Sequence, residues 1–368
     1  MRLFNPYSYY PVHLCIVLAF TLLYCIYLSR IRTAKRLFSR KHTSYYIVAY
    51  SLLFMVVVGL RPIHGAFGDT TTIADTFRLF SQSPFSIVGT QDSLFYIIQW
   101  GCAQVMDVEW FLFICEILYI VPIIIACYRL LRNNGDIGLL FCLAALSFFP
   151  YATNGVRNGV ATSLAFLAIS FIRGGTVDKI ICILLSLVAS YIHKSVSLPL
   201  LCMFVCYFFK PQRILFIIWL MSIVVSLLMG DTVADFFANL GFDDRLNRYI
   251  MTEANEDLFS STGFRWDFLL YSAVPIVIGY YILVKKRTYN LTYLLLLGTY
   301  ILTNSFWVMV IRAQYSNRFA YLSWFLYPIV ICYPLLKLKL WPKTQGRKVA
   351  YVMVGHLAFT FIMYLIFS

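Results

Sequence analysis

The chain has 368 residues, of which 61% are hydrophobic and 12% are charged, with a net charge of +14. A soluble globular domain is about a quarter charged, so composition excludes that class and points to a polytopic α-helical membrane protein. In such a chain the positive charge reads as basic cytoplasmic loops rather than as a nucleic-acid surface.

Apolar runs follow one another along the whole chain. Expected spans lie near 9–29, 45–60, 109–128, 138–152, 157–172, 178–193, 196–209, 214–230, 266–284, 289–308, 319–336 and 349–367. The fold class is therefore all-α, with about 12 transmembrane helices in a single transmembrane domain over 1–368. The first run is longer than a signal-peptide core and lacks a basic leader and cleavage site, so it is expected to be retained. Several runs are short, as expected of tilted helices or helices that end at a cavity.

The segment "DSLFYIIQWGCAQV" (Asp92 to Val105) decides the topology. It is apolar but too short to cross easily, and it carries Gln99 and Gln104, so it is assigned as an interfacial or re-entrant helix. With that choice, about two thirds of the 30 Lys and Arg gather on one side, the expected cytoplasm. Both termini then lie outside. Arg2, Arg61, Arg78, Arg157, Lys194, Arg245, Arg248, Arg265, Arg312 and Arg318 remain on the outer side, where the charge rule gives no reason for them.

Two longer segments fall on that outer side, 61–91 and 230–265. Loops of such length are usually functional or disordered. The second carries Arg245, Arg248 and Arg265 among several carboxylates, as possible substrate contacts or as surface ion pairs.

Shorter motifs are more pointed. In "TNGVRNGVA", Arg157 opens a helix between Gly155 and Gly159. An arginine is disfavoured at that positive end, yet with the free backbone N–H groups it makes an anion site. The plainer reading is an arginine reaching lipid headgroups. In "YIHKS", His193 and Lys194 lie where two short spans meet, as a base beside an anion-binding ammonium or as a simple helix-end charge. "IRAQYSNRFAY" places Arg312 and Arg318 at a later junction, and "FGDTTT" places Asp69 in the first outer segment. Asp69 is a candidate acid–base group or a turn-forming Gly-Asp. Glu116, deep in an apolar run, either pairs inside the bundle or faces a cavity. The ten cysteines include no Cys-x-x-Cys, and no Asp-x-Asp marks a metal site. Several cations, one histidine and one carboxylate on one face suit a lipid-linked diphosphate, which arginine forks neutralise without a metal.

The early "GD", "VRNGVA", "IHKS" and the late "NRFAYL" together resemble the EpsG family of exopolysaccharide proteins, related in role to Wzy-type O-antigen polymerases. The resemblance covers most of the chain by layout. At the early motif it departs, with Ile73 where a tyrosine is usual. It implies a glycosyltransferase-type polymerase at the periplasmic face of a bacterial inner membrane, joining undecaprenyl-diphosphate-linked repeat units. Arg157, Arg312, Arg318 and Lys194 would bind diphosphate, with His193 as base and Asp69 as second choice. The implied partners are the lipid-linked glycan, the bilayer and a chain-length regulator protein, with no cofactor and no nucleic acid. A membrane O-acyltransferase built on His193, or a lipid-linked sugar flippase, remain as alternatives.

Overall fold

A computed structural model describes residues 5–31, 33–40, 44–84, 91–209, 212–239, 264–312 and 316–367. Every regular element among the described residues is helical. The chain forms two compact units, one from 1–196 with 332–368 and the other from 197–331. Among the described residues, six helical stretches are long and apolar enough to cross a membrane, and four shorter apolar helices accompany them.

The first unit contains α1 (Tyr9–Ser29), α2 (Ala34–Phe38), α3 (Tyr46–Gly59), α4 (Thr70–Gln82), α5 (Ser93–Ala103), α6 (Val108–Leu131), α7 (Gly135–Leu143), α8 (Phe148–Thr153), α9 (Val156–Phe171) and α10 (Thr176–Ile192). Later in the chain come α16 (Tyr327–Lys337), which runs into this unit, and α17 (Gln345–Phe367). Helix α9 packs along both α6 and α10, α3 along α6, and α17 along α1. On α10 the inward residues Cys182, Ser186 and Ala189 are small and spaced at helical periodicity, which lets α9 come close.

Charged residues fix which ends meet. Arg129 at the end of α6 pairs with Asp178 at the start of α10 at 3.0 Å. Its guanidinium also lies 3.5 Å from the centre of the Phe171 ring, at the end of α9. The start of α9 and the end of α10 therefore share the opposite end of the unit. Helix α5, at 11 residues, is only about 16 Å long, short of a hydrocarbon core. It packs against α4, where Gln99 donates to the Ile73 carbonyl and Gln104 to the Phe80 carbonyl, both at 2.9 Å.

The run 138–152, expected as one helix, is two. Helix α7 stops at Leu143 and α8 begins at Phe148. A break among apolar neighbours strands backbone carbonyls that need donors. Three carbonyls at the end of α7 find side-chain partners from distant segments, and a fourth bond reaches the first residue of α8. His356 Nε2 meets Phe141 O at 3.0 Å, His13 Nε2 meets Leu143 O at 3.0 Å, Thr360 donates to Ala144 O at 2.8 Å, and Tyr119 to Phe148 O at 2.9 Å.

Among the described residues, two buried arginine–carboxylate pairs lie in this unit. Arg40 grips Asp136 with two parallel bonds, at 3.0 and 2.8 Å. Arg61, expected among the unexplained outer cations, is fully buried against Glu116 at 3.2 Å. Glu116 is thus a bundle contact, the first of its two sequence readings. Arg61 also donates to the Thr70 hydroxyl at 3.1 and 3.0 Å, and the Thr70 hydroxyl in turn donates to Thr153 O at 3.1 Å. Removing one partner of such a pair leaves a buried charge alone. Glu116→Ala is therefore expected to destabilise the folded protein by about 3–5 kcal/mol, read as a lowered unfolding midpoint of the detergent-purified protein.

The second unit contains α11 (Ser197–Phe208), α12 (Gln212–Asn239), α13 (Trp266–Tyr280), α14 (Leu291–Met309), α15 (Ser316–Trp324) and the start of α16. Helix α14 is buried nearly all round, as expected of a central helix. Its Asn304 accepts from Trp219 Nε1 at 2.8 Å and donates to Ser323 at 3.0 Å. Tyr271 and Tyr327 stack with centroids 4.1 Å apart, and Trp324 Nε1 donates to the Ser272 hydroxyl at 2.7 Å.

Candidate functional site

The site gathers at the end of the first unit where α5 and α9 begin and α10 finishes. Asp92 immediately precedes α5 with φ 65° and ψ 32°, a left-handed conformation that aspartate tolerates better than most residues. An aspartate in that place usually caps its own helix. Asp92 does not. Its carboxylate turns instead to α9 and α10.

His193 follows α10 in extended conformation, with its backbone N–H still bonded to Ala189 O. This ends the helix and swings the imidazole inward. Nδ1 lies 3.0 Å from each Asp92 oxygen. The next backbone N–H, of Lys194, donates to Asp92 Oδ1 at 3.0 Å. Arg157 Nη1, from the first turn of α9, lies 3.3 Å from Asp92 Oδ2 and donates to the Tyr96 hydroxyl at 2.7 Å. Tyr96 stands one turn after Asp92 on the same face of α5. The Asp92 side chain is 5% exposed and that of Arg157 21%.

These contacts set the chemistry. Burial pushes the Asp92 carboxyl up, but the His193 hydrogen bond and charge, the Lys194 N–H and Arg157 together outweigh it and hold Asp92 below the usual carboxylate range. Its stabilising contribution is therefore fully present above the unfolded value of 3.8 and is lost only as pH falls through the lower folded value. Acidification to about pH 5 leaves these ties intact. A carboxylate on Nδ1 fixes the proton there and leaves the lone pair at Nε2, the arrangement of a general base. Arg157 spends one nitrogen on Asp92 and Tyr96. Its Nε and Nη2 have no partner among the described residues, so the fork keeps donors for an anion.

The expected residues sort clearly. His193, Arg157 and the backbone of Lys194 come together, and the Lys194 side chain stands exposed at the rim. The Asp69 backbone N–H donates to Asn154 Oδ1 at 3.1 Å. Gly68 beside it has φ 55°, and a Cβ there would overlap the Asn154 side chain. Gly159 answers to packing: a Cβ on it would lie 2.5 Å from Tyr151 O, so it lets α8 and α9 approach rather than clearing room for phosphate. Arg265 makes a bidentate pair with Asp267 at 2.9 and 2.6 Å and covers the Phe268 ring. In the second unit Arg312 Nη2 donates to Leu227 O at 3.4 Å, and Arg318 is half-buried at the start of α15. Arg245 and Arg248 lie outside the described residues. Among the described residues, no three His, Cys, Asp or Glu side chains gather as metal ligands.

Asp92 and Tyr96 were missed by sequence reasoning. Their signal was an aspartate heading an apolar helix with a tyrosine four residues on, which puts a carboxylate and a phenol on one face.

Comparison with known families decides the class. The model of the EpsG family matches residues 42–368, which include every residue of this cluster. The chain belongs to the EpsG family. Members of the EpsG family are Wzy-type polysaccharide polymerase-like, so this is a polysaccharide polymerase-like membrane protein. No curated protein and no solved structure matches it. In this EpsG-family chain the "VRNGVA" and "IHKS" motifs, 36 positions apart from Arg157 to His193 by residue number, meet on one carboxylate.

Proposed function

We propose that this protein polymerises glycan repeat units carried on undecaprenyl diphosphate at the periplasmic face of a bacterial inner membrane, without a metal. The observation that carries the reading is the Asp92–His193 pair beside an arginine with donors to spare. His193 Nε2 takes the proton from an acceptor-sugar hydroxyl as its oxygen attacks the anomeric carbon of the donor. The bond from that carbon to the diphosphate oxygen breaks, and its electron pair leaves with the diphosphate. Arg157 neutralises the charge that grows there, and Lys194 at the rim assists. Arg312 and Arg318 are assigned to diphosphate binding on the family resemblance, and Arg265 to an outer contact. Geometry supports Asp92 rather than Asp69 as the working carboxylate, so Asp69→Asn is expected to keep wild-type chain lengths in cells. The accompanying topology is about 12 spans with 61–91 and 230–265 outside, and a chain-length regulator protein is the expected partner.

A deletion strain tests the reading. Its surface glycan, run on a gel, should show single repeat units only. Complete absence of surface glycan would instead mark a flippase or an earlier step. Cytoplasmic labelling of a cysteine placed at 193 would favour an O-acyltransferase.

A further inference from the structure

The polymerase reading leaves one polar group of the cluster unused. The Tyr96 oxygen accepts from Arg157 Nη1 at 2.7 Å. The phenol hydrogen has no acceptor among the described residues, and Asp92, one turn away, is already met by His193, Lys194 and Arg157. Tyr96 is half-buried, with its ring edge against Phe80 and Phe95 at centroid distances of 6.3 and 6.2 Å. These contacts hold the hydroxyl beside the arginine. A hydroxyl whose oxygen accepts from a cation is polarised into a stronger donor. It also adds no charge that a phosphate would have to balance.

We propose that Tyr96 is a substrate-contacting residue, its O–H donating a hydrogen bond to a diphosphate oxygen of the lipid-linked donor. Arg157 and Tyr96 then form one two-part anion clamp, a cationic fork and a neutral donor, tied to His193 through the Asp92 carboxylate that Arg157 and His193 both touch. The bond strengthens as the glycosyl–oxygen bond breaks and charge builds on the diphosphate. No proton is transferred from Tyr96. The inference deepens the polymerase reading and rests on it.

The test uses the full-length protein in lipid nanodiscs, with undecaprenyl diphosphate as probe and undecaprenol as the uncharged control. Tyr96→Phe is expected to weaken diphosphate binding about 10-fold or more, the loss of one hydrogen bond to a charged group. Undecaprenol binding should not move, and the unfolding midpoint should fall only slightly, through the lost bond from Arg157. If the Phe variant unfolds early, Tyr96→Met carries the same expectation. In an Arg157→Gln background, Tyr96→Phe should still weaken binding, by a smaller factor because the polarising cation is gone. An unchanged affinity for Tyr96→Phe overturns the inference and leaves the polymerase reading standing. So does an effect that vanishes once Arg157 is replaced, because Tyr96 then only positions the arginine. Failure of the wild-type protein to bind the diphosphate overturns both.

Discussion

Asp92→Asn is expected to lower the polymerisation rate by about 10³-fold while the protein remains folded and inserted, the range lost when a general base is disabled. The change removes one charge and almost no volume, so packing is preserved. The carboxylate takes donors that include His193 Nδ1, the Lys194 N–H and Arg157 Nη1. An amide offers them one oxygen and turns an NH₂ group toward the rest. The imidazole is then better served with its proton on Nε2, which places hydrogen where the acceptor hydroxyl needs a lone pair. The readout is chain growth by purified protein alongside its unfolding midpoint. A variant that keeps a third of wild-type rate would show that Asp92 is structural.

Arg157 carries the second large effect. Arg157→Ala is expected to leave products of one unit only, with the protein still in the membrane. Arg157→Lys separates its two roles. Lysine keeps the charge but has no fork with which to reach Asp92 and Tyr96 and still face an anion. We expect it to recover at most about a tenth of the activity, with the deficit chiefly in KM because the lost contact binds both ground and transition states. Full recovery by lysine would mean that a positive charge alone suffices. Normal chain lengths in Arg157→Ala would remove the arginine from the site.

The sequence made some of this legible and hid the rest for physical reasons. Membrane helices announce themselves by composition, and "VRNGVA" and "IHKS" stand out because a cation at such a place needs a cause. Asp92 was hidden by its own segment. It reads as the cap of a short apolar helix, whereas its partners are 65 and 101 positions away. The pattern points instead to Asp69, an isolated carboxylate in the first outer segment that follows the glycine of the turn. The break between α7 and α8 lies inside an unbroken apolar run, and the side chains that make it tolerable come from α1, α6 and α17. Arg61 looked like one of a group of outer cations, because its partner Glu116 lies 55 positions on, across the packed pair α3 and α6. Gly159 next to an arginine suggested a phosphate cradle, and only the neighbouring Tyr151 carbonyl shows the glycine to be a packing requirement. In each case local pattern found the charged or small residue, and tertiary contact assigned its work.

The most direct measurement reconstitutes the purified protein in vesicles with lipid-linked repeat units as sole substrate. Product length is followed on a gel together with released lipid diphosphate. The wild-type protein should give a ladder of chains with one diphosphate released per linkage, and His193→Ala should give neither. Single units from the wild-type protein, or an undiminished ladder from His193→Ala, would contradict the account.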